Sequence, residues 1–146
     1  MSDEHPLPPR TRDTPHEIVN PPELGHPAGF AHAVVAAPGG LVFLGGQTGH
    51  RADGSLPGPG VVEQFDVAAE NVVHALTAAG ARPEHVVWTQ VFTSDAGAYL
   101  ESLKELGRVW QRHFGRHYPA MAWFEVKSLF DPAAIVEIMA IAVIPE

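Results

Sequence analysis

One carboxylate stands among apolar residues where it could move a proton. Glu137 lies in the terminal run Val136 to Val143, and strand alternation puts it on one face with Met139 and Ile141. An apolar setting suits a carboxylate to proton transfer. The structural use of such a group is a tie to backbone N–H groups or to a Lys or Arg of a neighbouring subunit. His50 and Arg51 follow Gly45-Gly46-Gln47; they could serve as base and anion clamp, or lie in a solvated loop. Adjacent glycines at a strand end either let a ligand approach backbone N–H groups or make a bulge or tight bend. His113 and His117 have a spacing that can bind metal from one helix face, but Gly115 between them ends a helix, so no metal is expected.

The residue inventory excludes much else. With no cysteine, thiolate nucleophiles, disulfides and Cys-ligated metal are absent together. Ser55, Ser94 and Ser102 lack a nucleophile elbow, and Gly45-Gly46 is followed by Gln47-Thr48-Gly49 rather than by a phosphate-loop or dinucleotide spacing. No phosphate-loop or dinucleotide site is therefore expected. A formal net charge of -8 repels a phosphate backbone, which favours a small-molecule or protein partner over nucleic acid. No apolar run approaches the roughly 20 residues of a membrane span, and residues 1–20 contain no apolar leader core, so the expected compartment is the cytoplasm.

The elements that must position these groups can be read from periodicity. Prolines at 6, 8, 9, 15, 21, 22 and 27 forbid a regular helix and predict an extended or disordered arm over residues 1–25, ahead of one domain over 26–146. Ala31 to Ala37 and Leu41 to Gly45 flank Pro38-Gly39-Gly40 and predict a hairpin. The loop from His50 to Gly60 is rich in Gly and Pro. Apolar residues at helical spacing predict a helix over Val62 to Ala79, closed by Gly80, and a second from Ala96 to Phe114, closed by Gly115. Val86 to Thr93, Met121 to Val126 and Ile135 to Ile144 read as strands, the last two separated by Asp131-Pro132. The order ββαβαββ predicts an α+β fold, a mixed sheet with two helices on one face. The final strand is apolar on both sides, so self-association would have to cover the other face.

The stretches Val42-Phe43-Leu44-Gly45-Gly46-Gln47, Asn71 to Ala81, Val86 to Phe92, Tyr118-Pro119-Ala120 and Val136 to Val143 resemble the RidA/YjgF family in order and spacing. They span most of the chain after about residue 25. The resemblance implies a chorismate-mutase-like fold, a homotrimer, and ligand clefts between subunits. It also implies cofactor-free hydrolysis of enamines and imines such as 2-aminoacrylate, or a related water addition at an activated carbonyl.

Against the family pattern, Glu137 matches the glutamate held to position or activate water. The arginine that clamps a substrate carboxylate is replaced by Met121. A guanidinium offers two parallel charged donors and a thioether none, so 2-aminoacrylate turnover is expected to be weak or absent. Trp123 replaces a small residue or cysteine, Phe30 a tyrosine, and Met139 a second glutamate. With Gly46, Gln47 and Phe92 these are the residues expected to bind substrate. Alternation sets Met121, Trp123 and Glu125 on one strand face, predicting a larger, more aromatic pocket for a ligand without an obligatory carboxylate. Met121 and Trp123 could instead fill a subunit contact, making the protein a non-catalytic trimeric ligand-binding or interaction module.

Overall fold

The computed structural model describes residues 14–146. The part of the expected arm before Thr14 lies outside the described residues. The rest is no free arm. Glu17–Val19 forms strand β1, which pairs antiparallel with β2, Ala33–Val35. Ahead of β1, Thr14 and His16 are buried: the Thr14 hydroxyl donates to the Glu84 carbonyl at 2.7 Å. The His16 ring accepts the Ala37 N–H at Nδ1 and donates from Nε2 to the His85 carbonyl, each at 3.0 Å. Proline blocks a helix but not an edge strand.

The expected hairpin is replaced by a crossing. Strand β3, Gly39–Thr48, starts inside the expected turn and pairs with the final strand β6, Val136–Pro145, while β2 turns to β1. Gly39 serves a different purpose from the one its turn chemistry suggests. A Cβ there would fall 1.8 Å from the Ile144 carbonyl oxygen, so β3 and β6 can meet at this point only without a side chain.

The main sheet has the order β3-β6-β4-β5, where β4 is Val86–Thr93 and β5 is Ala120–Glu125. β6 is antiparallel to both neighbours, and β5 is parallel to β4. A parallel neighbour needs a helical crossover, here supplied by α2, Ala96–Glu101, and α3, Leu103–Phe114. The single helix expected over this span breaks at Ser102, whose ψ of 13 leaves the helical range. The break turns Tyr99 in against Phe65 and Trp123 while α3 sends Leu106, Val109 and Trp110 into the core.

Helix α1, Val61–Ala78, ends at Gly80 with φ +84 and an Ala81 N–H bond to the Leu76 carbonyl, the left-handed closure its sequence predicts. Its buried stripe of Phe65, Ala68, Ala69, Val72 and Leu76 packs with α3 on Leu44, Val91, Val136, Ile138, Ala140 and Ala142 of the sheet. Among the described residues much of the other face lies open. Leu41 and Phe43 are 64% and 70% exposed there, in register with Val143 and Ile141.

Candidate functional site

Strand register assigns the candidates paired in the main sheet to a face. Glu137 is paired with Phe92 on β4 and Thr48 on β3, and Met139 with Gln90. Directly paired residues share a face, so Glu137, Phe92 and Met139 lie together on the open side, opposite the buried Val136 and Ile138. Phe92 stacks on Phe124 of β5 with centroids 5.6 Å apart, extending this row to the sheet edge. Gly45 and Gly46 form a bulge: the register slips between Leu44 and Gln47, with only Met139 between their partners on β6. A Cβ at Gly46 would lie 2.3 Å from Glu137 Oε1, so the carboxylate rests over the bare glycine. The Gln47 amide folds back on the Gly45 carbonyl at 3.3 Å.

Met121, Trp123 and Glu125 do share a face, and it is the opposite one. Met121 is in register with the buried Thr89 and Trp123 with the buried Val91, on the side the helices cover. Met121 packs against the core, the Trp123 indole lies 5.4 Å from the Tyr99 ring, and Glu125 accepts the Ala96 N–H at the start of α2. The expected meeting of Glu137 with Met121 and Trp123 therefore does not occur within one chain: a sheet lies between them.

Met121 lines a cavity of roughly 330 Å³ with Val91, Tyr99, Leu106, Trp110 and Tyr118. Its remaining lining is Ala28, Gly29, Phe65, Leu103 and Gly107, so it presents no charged side chain. Burial pushes the Tyr99 phenol up to about 12, which keeps it a neutral hydroxyl. The Tyr118 hydroxyl accepts from Gln111 at 2.9 Å. Phe30 borders this region: it is half-buried against His32, and the next residue, Ala31, donates its N–H to Pro119 and bridges to Ala120. Of the cavity wall, only Met121 was singled out by sequence. Tyr99 and Trp110 carry an ordinary helical apolar pattern, which does not distinguish a cavity wall from a packed core. A larger, open groove between α1 and α3 is lined by Glu63, Asp66, Glu101, Glu105, Arg108 and Arg112, and holds none of the candidates.

Of His50 and Arg51, His50 is the better placed. Its Nε2 lies 2.8 Å from Asp131 Oδ2 and its Nδ1 meets the Thr48 hydroxyl, whereas Arg51 is exposed in the loop. The Ala133 N–H, and after it His50, hold the Asp131 carboxyl below its usual range. His113 and His117 are engaged separately. His113 bonds Asp66 at 2.6 Å, while His117, fully buried, donates from Nε2 to the Val86 carbonyl at 2.6 Å. Among the described residues no group of three or more His, Cys, Asp or Glu is arranged to hold a metal, and no helix is long and apolar enough to cross a membrane.

A mixed sheet with helices on one side, its last strand carrying a glutamate over a glycine bulge, defines a fold shared with solved Rid proteins. A Rid-family protein of unknown function, YyfB from Yersinia pestis, superposes with a TM-score of 0.80 at 25% identity, covering 88% of this chain and 98% of that one. RidA from an Antarctic Psychrobacter superposes at 0.63 with 26% identity, over 82% and 92% of the two chains. In sequence, the RutC family protein y4sK of Sinorhizobium fredii is 34% identical over 104 residues, 70% of this chain and 79% of that protein. The family model described as Endoribonuclease L-PSP matches residues 23–144, and the chain belongs to this RidA/YjgF family.

Proposed function

We propose that this protein adds water to an enamine, imine or related activated carbonyl compound, in a cleft completed by a second copy of the chain. The observation that carries the reading is the uncharged cavity beneath Met121. At that position the family pattern holds an arginine, and a thioether cannot bind a carboxylate. The favoured substrate is accordingly small, apolar or aromatic, and without an obligatory carboxylate.

Because Glu137 and the cavity lie on opposite sides of one sheet, a shared cleft requires the open face of one subunit to approach the β5 edge of another. A homotrimer closed through the apolar row of Leu41, Phe43, Phe92 and Met139 would do this and would cover that row. In such a cleft Glu137 takes a proton from water as the water oxygen bonds to the imine carbon, and passes it to the nitrogen to give a neutral carbinolamine. The carbinolamine hydroxyl then yields its proton to Glu137, which hands it to the same nitrogen as the C–N bond breaks, releasing amine and carbonyl product. The net charge of -8 argues against ribonuclease action.

The test compares two substrates, a simple aryl imine without a carboxylate and 2-aminoacrylate generated in situ. Turnover of the first, lost in Glu137→Ala, with slow turnover of the second, is expected. Fast 2-aminoacrylate hydrolysis abolished by the same substitution would overturn the specificity. Tight ligand capture that persists in Glu137→Gln, with no turnover in wild type, would instead mark a binding module.

A further inference from the structure

A second group of reactive side chains stands at the end of β3, apart from the Met121 cavity. The Thr48 hydroxyl lies 2.5 Å from His50 Nδ1, and His50 Nε2 lies 2.8 Å from Asp131 Oδ2. The partners fix the direction of each bond. A carboxylate only accepts, so Nε2 carries the ring proton, Nδ1 is the lone-pair nitrogen, and the Thr48 O–H donates to it. A hydroxyl on a basic nitrogen whose ring is oriented by a carboxylate is the arrangement that activates an oxygen nucleophile.

The surroundings hold the three groups in place from separate elements. Asn71 of α1 donates from Nδ2 to the carbonyls of both Thr48 and His50, at 3.0 and 2.8 Å. Gly49 between them packs so closely on α1 that a Cβ would lie 2.8 Å from the Gln64 carbonyl oxygen. Asp131 is fixed from the other side by the Ala133 N–H on Oδ1 at 2.9 Å. The group is also reachable: 27% of the His50 side chain and 41% of that of Asp131 are exposed, and Thr48 is half-buried. The preceding bulge takes a residue of Gly45–Gly46 out of the ladder, which frees backbone polar groups beside the hydroxyl.

We propose that Thr48, His50 and Asp131 form an acyl-transfer centre that hydrolyses small uncharged esters. Thr48 Oγ bonds to the ester carbonyl carbon as its proton moves to His50 Nδ1, and Asp131 balances the imidazolium. The tetrahedral adduct expels the alcohol oxygen, which takes that proton. Water then attacks the acyl-threonine, gives a proton to Nδ1, and releases the acid as Thr48 Oγ recovers its hydrogen. An anionic ester is disfavoured because Glu137 stands in register beside Thr48. This chemistry goes beyond the imine reading and uses neither Met121 nor the cavity.

The experiment is incubation of the full chain with p-nitrophenyl acetate, following p-nitrophenolate release and mapping acetylated peptides by mass spectrometry. One acetyl group on Thr48 is expected, with release slowed roughly a hundredfold or more in Thr48→Val and His50→Gln. Thr48→Ser should retain acetylation, which keeps the result readable should valine disturb folding. Asp131→Asn should slow acetylation and Asp131→Glu recover part of it, a rescue that a purely structural carboxylate would not give. Acetyl groups confined to Lys104 or Lys127, or equal rates in wild type and His50→Gln, would overturn the proposal. Imine turnover in Glu137→Ala and ester cleavage in His50→Gln are read in separate assays, so failure of the one reading is distinguishable from failure of the other.

Discussion

Met121 and Glu137 stand on opposite faces of one sheet, Met121 in register with buried Thr89 on the helix side and Glu137 in register with Phe92 on the open side. A carboxylate clamp restored at residue 121 would therefore act from within the apolar cavity. Met121→Arg should raise turnover of carboxylate-bearing imines by about 10- to 100-fold, the worth of a charge-assisted bond of roughly 1.5–3 kcal/mol. It should also lower the melting temperature, since no anion lines the cavity. Ammonia release and thermal melts check both halves, and unchanged discrimination between the two substrate types would refute the assignment.

Gly46 carries the Glu137 carboxylate. In Gly46→Ala the new methyl must displace it, and since a carboxylate is the end of a flexible side chain, stability should change by less than about 1 kcal/mol. Imine turnover should nevertheless fall by roughly a hundredfold, as misplacement by an ångström can cost that much. Comparison of kcat with denaturation midpoints separates these effects.

Phe43 is 70% exposed on the open face, on the edge strand β3. If that face closes the trimer, Phe43→Asp should leave a folded monomer with no imine turnover. Sedimentation velocity and circular dichroism report the two properties. An unchanged oligomer would place the interface elsewhere.

Gln64 is fully buried and ties the connection before β6 to α1. Its amide donates to the carbonyls of Gly58 and Ala133 at 2.8 and 3.1 Å and accepts the Ile135 N–H at 2.9 Å. Gln64→Leu leaves three backbone groups without this partner and should cost about 2–4 kcal/mol in urea denaturation.

His117 sets a pH limit on stability. Burial lowers its pKa below the usual 6.5, despite its bond to the Val86 carbonyl, and burial likewise lowers His85. The unfolded chain then binds more protons than the folded one between the ordinary value and the lowered one, so stability rises with pH across that window. Unfolding midpoints should be level above about pH 7 and decline as pH falls below about 6.5. A midpoint that rises on acidification from pH 7 would show the sign to be wrong.

The elements with strong periodicity were legible in the sequence. Val86–Thr93 appears as a strand with the bounds predicted, and α1 is displaced by one residue. What misled was chemistry with two meanings. Gly39 reads as a turn residue, but its missing side chain serves the contact with Ile144. Alternation correctly grouped Met121 with Trp123 and Glu137 with Met139, yet a period of two cannot say how the faces of separate strands match. That depends on the β4 register shared by both. Asp131 read only as part of a connection because its partner, His50, is distant in sequence and no spacing links them.

The slip at Gly45–Gly46 has a further effect on β3. Before it, even-numbered Val42 and Leu44 turn toward the helices; after it, parity inverts, and Gln47 is matched with buried Ile138 while Thr48 is matched with Glu137. Were both glycines to pair in regular alternation, without the slip, the threonine would turn inward and the glutamine outward. The bulge thus decides which of two polar side chains is presented next to the acidic group.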